Sequence, residues 1–239
     1  MKSIFLADDT REQDASTALN ILDMSVKPLS SPTSKTARGI LAKKDLIRLY
    51  QSIETALPDL ASRIILFASG SRGEGTTTIS AGLSAIAAGL GHRSLLIDIL
   101  ASSAATTSSL IDVAIGRASP KAAIILSTDA SAFDRAHLTT GNTASDVLVH
   151  RDKIRKTLTT LCNQYQLIVF HVSDILADPI GASLCDIADG VVLVTEAERT
   201  RVPVARQAIQ LLSGKGAKII GQVLNKRRYY IPHWLYRWL

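Results

Sequence analysis

The sequence lacks enough cysteine for a disulfide framework, any long apolar run, and acidic residues near its C-terminus. Its 239 residues include only two cysteines, Cys162 and Cys185, which is typical of a reducing compartment. No segment has 18 uninterrupted apolar residues, so no membrane-spanning helix is expected. Charged residues at positions 8, 9 and 11 argue against a secretory signal peptide. The length and the 46% apolar content predict one globular domain with appendages.

The charge is distributed unevenly along the chain. From Arg199 onward there is no Asp or Glu, although nine of the 27 Lys and Arg residues lie there. Residues 1–198 therefore hold 18 basic and 21 acidic side chains, within a total net charge of +6. A positive end on a mildly negative body favours an anionic partner surface, such as membrane lipid, nucleic acid or an acidic protein. A solvated basic face is the plainer alternative.

A glycine-rich loop between an apolar run and a helical segment is the centre of the sequence. The run at 64–67 predicts a buried strand, and the Ala- and Leu-rich segment 77–90 predicts a helix. Between them, residues 70–77 match the phosphate-binding pattern G-x-x-x-x-G-K-(S/T) except that Thr76 stands at the lysine. Backbone amides in such a loop, at a helix N-terminus, bind phosphate. A glycine turn that only packs a helix on a strand is the alternative.

Strand-like and helical segments alternate along the rest of the chain. Helices are predicted at 44–57, 109–116, 145–165, 177–189 and 199–216, and strands at 95–97, 122–127, 137–141, 167–173, 190–197 and 217–225. This alternation predicts an α/β fold with a doubly wound, mostly parallel sheet between two helical layers. Residues 1–43 are predicted to be a flexible arm, 44–225 the domain, and 226–239 a basic aromatic tail.

The motifs, in their order, resemble the bacterial tyrosine kinases of capsule and exopolysaccharide synthesis. The segments that carry the resemblance are GEGTTT, LLID, the apolar strand before ILADP, ADGVVLV and GQVLN, which together span about 45–225. That cytoplasmic kinase domain is one of the deviant P-loop ATPases, which include chromosome-partitioning and cell-division positioning ATPases. The resemblance implies a P-loop fold, Mg-ATP, and a membrane-embedded polysaccharide co-polymerase as partner.

The resemblance also implies where a nucleotide would bind. Asn225 stands where the family recognises adenine, and a strand-terminating turn is the alternative for this residue. Thr77 and Asp98 would hold Mg²⁺, and Asp98 is also the candidate catalytic residue. The implied nucleotide-binding residues are Gly73, Glu74, Gly75, Thr76, Thr77, Thr78 and Asn225.

Three charged positions of the family pattern are changed, and so is one position of the related positioning ATPases. Thr76 stands at the P-loop lysine, and Ser71 stands at a second lysine that the positioning ATPases carry. Leu100 replaces the second aspartate of an Asp-x-Asp pair, and His171 stands at the aspartate that orders the Mg²⁺ shell. Positioning and charge stabilisation supply nearly all of phosphoryl-transfer catalysis, so we expect negligible kinase activity. Arg72 is expected to point to solvent, and His171 to be a buried, hydrogen-bonded histidine.

The first predicted helix bears on self-association. The family carries Glu-x-x-Arg-x-x-Arg on its interface helix, and Asp45, Arg48 and Gln51 occupy those places here. One arginine is retained and one is lost, so the pattern for ring-like assembly is incomplete. Asp45 and Arg48 are expected to form an ordinary surface pair.

Residues 226–239 combine an apolar stripe at helical spacing with basic and aromatic residues. The residues of the stripe and its basic flank are Ile231, Trp234, Leu235, Trp238 and Leu239, with Lys226, Arg227, Arg228 and Arg237. A short amphipathic helix of this kind favours an anionic membrane interface. A docking helix for the co-polymerase and a tail folded onto the body are the alternatives, and nucleic acid is not favoured. Tyr229, Tyr230 and Tyr236 resemble the tyrosine cluster that the kinases autophosphorylate, and here would need another kinase.

The sequence therefore predicts a catalytically degenerate regulator of exopolysaccharide or capsule biosynthesis and export. It would be cytoplasmic, peripheral to the inner membrane, and would work with the co-polymerase while binding ATP or ADP with Mg²⁺ weakly or not at all. Two alternatives stay open: an active ATP-dependent tyrosine autokinase or ATPase with a substituted active site, and a membrane-positioning ATPase of the cell-division type.

Overall fold

The computed structural model describes residues 43–100, 108–128, 132–139, 144–177 and 179–227. The predicted arm, apart from Lys43, lies outside the described residues. So do residues 228–239, which hold the tryptophans and the candidate tyrosines of the tail. The predicted division into arm, domain and tail therefore stays a prediction.

The described part of the chain contains eight helices and seven strands. In chain order they are α1 (Lys43–Ala56), β1 (Arg63–Ser69), α2 (Thr76–Gly89), β2 (Ser94–Leu100), α3 (Leu110–Ala114), α4 (Pro120–Ala123), β3 (Ile124–Ile125), β4 (Asp134–Thr139), α5 (Ala144–Val149), α6 (Arg151–Leu161), β5 (Leu167–Ser173), α7 (Pro179–Leu184), β6 (Gly190–Glu196), α8 (Val202–Gly214) and β7 (Ile219–Asn225). Within these residues, every helix is too short or too polar to cross a membrane.

The seven strands form one sheet in the order β3-β4-β2-β5-β1-β6-β7. All pairings are parallel except that of β3 with β4, which is antiparallel at one edge. From β1 the chain crosses to β2 on one side, and later passes from β5 to β6 on the other side. The strand order thus reverses next to β1, and α/β folds bind ligands at the carboxyl edge of such a point.

Both faces of the sheet are covered by helices. Along β1, Leu66 and Ala68 belong to one buried cluster, while Ile65 and Phe67 belong to a second cluster on the opposite face. The second cluster also contains buried residues of α1 and α2. Continuous apolar strands buried on both faces are the pattern of parallel sheets. The predicted doubly wound, mostly parallel α/β fold is confirmed.

Several predicted boundaries were wrong in detail. The single helix predicted at 145–165 is two helices, α5 and α6, because His150 leaves helical geometry with φ −103° and ψ 13°. The strand predicted at 122–127 is reduced to Ile124–Ile125, because Pro120 starts a short helix after Ser119. The helix predicted at 177–189 covers only Pro179–Leu184.

Candidate functional site

The P-loop, residues 70–77, connects β1 to α2 at the carboxyl edge of the sheet. Gly73 and Gly75 have φ angles of 84° and 100°, a left-handed conformation that favours glycine. Gly75 is the N-cap of α2 and makes no side-chain cap, and the first turn of α2 carries no acidic residue. The amides at this helix start and the positive end of its dipole are the kind of groups that can bind an anion.

Glu74 connects the P-loop to the rest of the fold through hydrogen bonds of its buried carboxylate. Its side chain is only 2% exposed, and its carboxylate accepts hydrogen bonds from the Gly70 amide at 3.1 Å and from the Thr200 hydroxyl. The Thr200 oxygen also accepts a hydrogen bond from the Glu196 amide at 2.8 Å. Because this carboxylate is already bonded inside the fold, an anion would meet the backbone N–H of Glu74 and not its side chain.

Thr76, at the position of the family's lysine, is turned into the protein. It is 2% exposed, and its Oγ1 lies 3.0 Å from Oγ of Ser173, the last residue of β5. The two hydroxyls form a neutral hydrogen bond. Thr77 and Thr78, by contrast, are exposed at the start of α2. The hydroxyl that the resemblance assigns to Mg²⁺ therefore belongs to an accessible residue.

Asp98 lies near the end of β2 between two histidines. In the parallel register His137 of β4 and His171 of β5 are its direct neighbours. The His171 Nδ1 atom is 3.4 Å from one carboxylate oxygen, and the His137 Nδ1 atom is 4.0 Å from the other. Both Nδ1 atoms are buried and make no hydrogen bond. His171 is only partly buried, with its side chain 13% exposed, and the prediction that it is hydrogen-bonded is wrong for Nδ1.

The charge state of His171 follows from its surroundings. Burial lowers its pKa most, the Asp98 carboxylate raises it, and the Arg135 guanidinium lowers it, so the net pKa lies below the usual 6.5. His171 is therefore neutral near pH 7. Among the described residues, no three His, Cys, Asp or Glu side chains are grouped to hold a metal ion. Asp98 and Thr77, together with phosphate oxygens, are the ligand types that fit Mg²⁺.

Asn225 and Lys226, at the end of β7, contact the P-loop from outside. Asn225 is 4% exposed, and its Nδ2 donates to the Glu74 carbonyl at 2.8 Å. Lys226 Nζ donates to the Gly73 carbonyl at 2.5 Å and to Glu196 Oε2 at 3.0 Å. The sequence alone predicts Lys226 to be part of the tail, because a contact across 153 residues leaves no local signal.

Other predicted residues take ordinary surface positions. The Arg72 side chain is 87% exposed, with its Nε 3.9 Å from an Asp174 carboxylate oxygen, so the expectation that it points to solvent is confirmed. Asp45 and Arg48 form the expected surface pair at 3.8 Å. Gln51 is exposed on the same helix.

Comparisons with known proteins show which proteins this chain is similar to. No protein-family model matches the chain. Tyrosine-protein kinase YwqD of Bacillus subtilis (strain 168) is 27% identical over 188 residues, which cover 74% of this chain and 78% of YwqD.

Two solved structures share the fold. The kinase domain of the Escherichia coli tyrosine kinase ETK matches with a TM-score of 0.70 and 18% identity, covering 95% of this chain and 98% of that domain. The septum site-determining protein MinD of Pyrococcus horikoshii OT3, solved as a complex with Mg-ADP, matches with a TM-score of 0.51 and 22% identity, covering 68% and 70%. In sequence and in fold, the chain is therefore similar to bacterial tyrosine kinase domains of the P-loop ATPase type.

Proposed function

We propose that this chain is a regulatory protein of exopolysaccharide or capsule biosynthesis and export whose tyrosine-kinase-like domain has lost phosphoryl transfer. The observation that carries the proposal is the environment of Thr76. Its buried hydroxyl is hydrogen-bonded to Ser173 at 3.0 Å, at the place where the family's lysine would meet the β- and γ-phosphates. A neutral pair there supplies no charge to the developing transition state, and charge stabilisation is most of this catalysis.

The metal side of the site supports the same proposal. A neutral His171 stands at the aspartate position, and Leu100 stands at the second place of the Asp-x-Asp pair. Asp98 is then the carboxylate left for Mg²⁺, aided by the Thr77 hydroxyl. Mg²⁺ bound by a single protein carboxylate depends on phosphate oxygens and water for most of its other ligands. When bound, Mg-ATP would supply the transferable phosphoryl group.

The phosphate cradle itself is intact. The left-handed glycines, the uncapped start of α2 and the bonded Glu74 carboxylate form a loop whose amides suit the phosphates of ADP or ATP. We therefore propose weak binding of nucleotide without turnover. This separates the protein from an active autokinase with a substituted site.

The likeness to the kinase domains supports a membrane protein as the partner. We propose that the chain acts at the cytoplasmic face of the inner membrane, beside a membrane polysaccharide co-polymerase. Residues 226–239 would supply the contact, either to the partner or to anionic lipid. Co-purification with a membrane co-polymerase, with and without this tail, is the direct measurement.

A phosphotransfer assay tests the loss of activity. The full chain is incubated with Mg-ATP, and phosphotyrosine is measured by mass spectrometry beside a Thr77→Ala variant. We expect no phosphotyrosine in either protein. Phosphorylation of the chain's own tyrosines that disappears in Thr77→Ala would overturn the proposal in favour of an active autokinase.

Calorimetric titration with Mg-ADP and Mg-ATP tests the intact cradle. Weak binding is expected, with dissociation constants between micromolar and millimolar, about −8 to −4 kcal/mol. Absence of heat up to millimolar nucleotide would remove nucleotide binding from the proposal.

A further inference from the structure

Two neighbouring residues hold two neighbouring carbonyls of the P-loop. Lys226 Nζ donates to the Gly73 carbonyl at 2.5 Å, and Asn225 Nδ2 donates to the Glu74 carbonyl at 2.8 Å. Both donors come from the end of β7, which reaches the loop across β6 in the sheet order. The contact is close, because a Cβ atom added to Gly75 would lie 2.1 Å from Asn225 Nδ2.

The orientation of these carbonyls fixes the orientation of the amides that follow them. A trans peptide group is planar, and its C=O and N–H point in opposite directions. The described residues contain no cis peptide bond. Because the Gly73 and Glu74 carbonyls are bonded to residues at the end of β7, the N–H groups of Glu74 and Gly75 point away from β7. These are amides that an anion in the loop would use.

Lys226 is held in an unusual backbone conformation for this contact. Its φ angle is 57°, in the left-handed region that is strained for a residue with a side chain. Its own N–H donates to Asn225 Oδ1 at 2.9 Å, so the two residues lock each other. A glycine would fit this backbone without strain, which points to a use for the lysine side chain.

The ammonium group is also fixed from a second direction. Glu196 Oε2 accepts from Lys226 Nζ at 3.0 Å and from Arg199 Nη1 at 3.1 Å. Burial raises the pKa of Glu196, but the hydrogen bonds from Lys226 and Arg199 outweigh it, so the pKa lies below its usual value. Glu196 therefore stays charged and keeps Lys226 at the loop.

We propose that Lys226 is a positioning residue that, with Asn225, holds the P-loop amides in the conformation that binds the phosphate chain of a nucleoside di- or triphosphate. It does this by binding the loop's backbone and not by touching phosphate. The inference rests on the proposed function, because it assigns the ligand class of the same cradle. It also explains how the loop keeps its shape with Thr76 in place of the lysine.

The test uses the full-length chain as wild type and as three variants. Calorimetry measures the binding of Mg-ADP and of inorganic pyrophosphate to each of the four proteins. Lys226→Met removes the donor, Lys226→Arg restores a donor, and Lys218→Met is the matched control at an exposed lysine just before β7. We expect Lys226→Met to weaken binding about tenfold or more. Lys226→Arg should recover most of the affinity, and Lys218→Met should match the wild type.

A second measurement needs no ligand. Exchange of the Glu74 and Gly75 amide hydrogens, followed by NMR, should be faster in Lys226→Met than in wild type and in Lys218→Met. Lys226→Gly separates positioning from overall stability. It relieves the left-handed strain, so its Tm should stay close to that of the wild type while its exchange is fast and its nucleotide binding weak.

The outcomes distinguish the inference from the function on which it rests. If the wild type binds neither ligand, nucleotide binding in the proposed function fails. If the wild type binds and Lys226→Met binds equally well, the role of Lys226 is overturned while the proposed function stands. Equal amide exchange in wild type and Lys226→Met also overturns it, whatever the ligand result.

Discussion

Thr76 and His171 both replace charged residues of the kinase pattern, but they are accommodated differently. The Thr76 hydroxyl is paired with Ser173 at 3.0 Å, so the exchange leaves no buried polar group unsatisfied. The His171 ring lies beside Asp98 of β2, with its Nδ1 buried and without a hydrogen bond. A buried ring nitrogen in this state is costly, and its cost depends on protonation.

His171 should make the stability of the protein depend on pH. Burial holds its pKa below the usual 6.5 despite the nearby Asp98 carboxylate, and Arg135 adds to the effect. In the unfolded chain the same ring takes up a proton near pH 6.5. As pH falls below 6.5 the unfolded state therefore binds more protons, and the free energy of unfolding decreases until the folded-state pKa is passed.

We expect His171→Gln to flatten this dependence between pH 7.5 and about 5.5. Urea unfolding at pH 7.5, 6.5 and 5.5 measures it. His150→Gln is the control, since His150 lies at the junction of α5 and α6 and should keep the wild-type slope. The same slope in His171→Gln and in wild type would show that this ring does not control the acid response.

At the scale of elements, the P-loop is a short segment held by several neighbours, one of which is β5 through the Thr76–Ser173 hydrogen bond. Its first residue follows β1, its carbonyls contact the end of β7, and its buried Glu74 carboxylate contacts the turn after β6. The Thr200 hydroxyl links the turn to the P-loop, because it donates to Glu74 and accepts from the Glu196 amide.

Thr200→Val should destabilise the fold by about 1–3 kcal/mol. Valine keeps the shape of threonine but leaves one oxygen of the 2% exposed Glu74 side chain without its donor. Urea unfolding near pH 7 measures the change. Thr200→Ser keeps the hydroxyl and should lie within about 0.5 kcal/mol of wild type. If the Thr200→Val and Thr200→Ser variants are equally stable, the Thr200 hydroxyl does not stabilise the buried Glu74 carboxylate.

The elements differ in how well the sequence predicts them. β1, β5 and β6 are long apolar runs, and two-face burial makes such runs readable as strands. The P-loop can be predicted because its left-handed backbone positions favour glycine, which leaves a recognisable pattern in the sequence. The short elements α4 and β3 cannot be predicted in this way, because four residues and two residues are too few to show a periodic pattern.

Contacts made by the sheet order are the least predictable part of the site. Lys226 meets Gly73 across 153 residues only because β7 lies beside β6, and β6 beside β1. The Asp98 neighbours likewise depend on the register of β4 and β5 against β2. The sequence predicts which residues belong to the loop, but strand order decides which distant side chains hold it.

At the scale of the whole molecule, the acid-free C-terminal segment of the chain reaches the P-loop. The acid-free segment begins at Arg199, which contacts Glu196, and includes Lys226 at the loop. The described residues thus connect the site directly to the start of the basic aromatic tail. A partner that engages residues 227–239 would be adjacent to Lys226 in sequence, and so to the P-loop.

Deleting residues 230–239 tests which surface the tail engages. The deletion removes both tryptophans and the apolar stripe but keeps Lys226 and Arg227. If the tail binds lipid, the deletion should lower co-sedimentation with vesicles of anionic lipid, because the buried aromatic area is lost. A tail of the same composition in permuted order is the matched control, since it keeps the charge and breaks the stripe. Unchanged sedimentation with the deletion contradicts the lipid interface, and unchanged co-purification with a membrane co-polymerase contradicts docking through the tail.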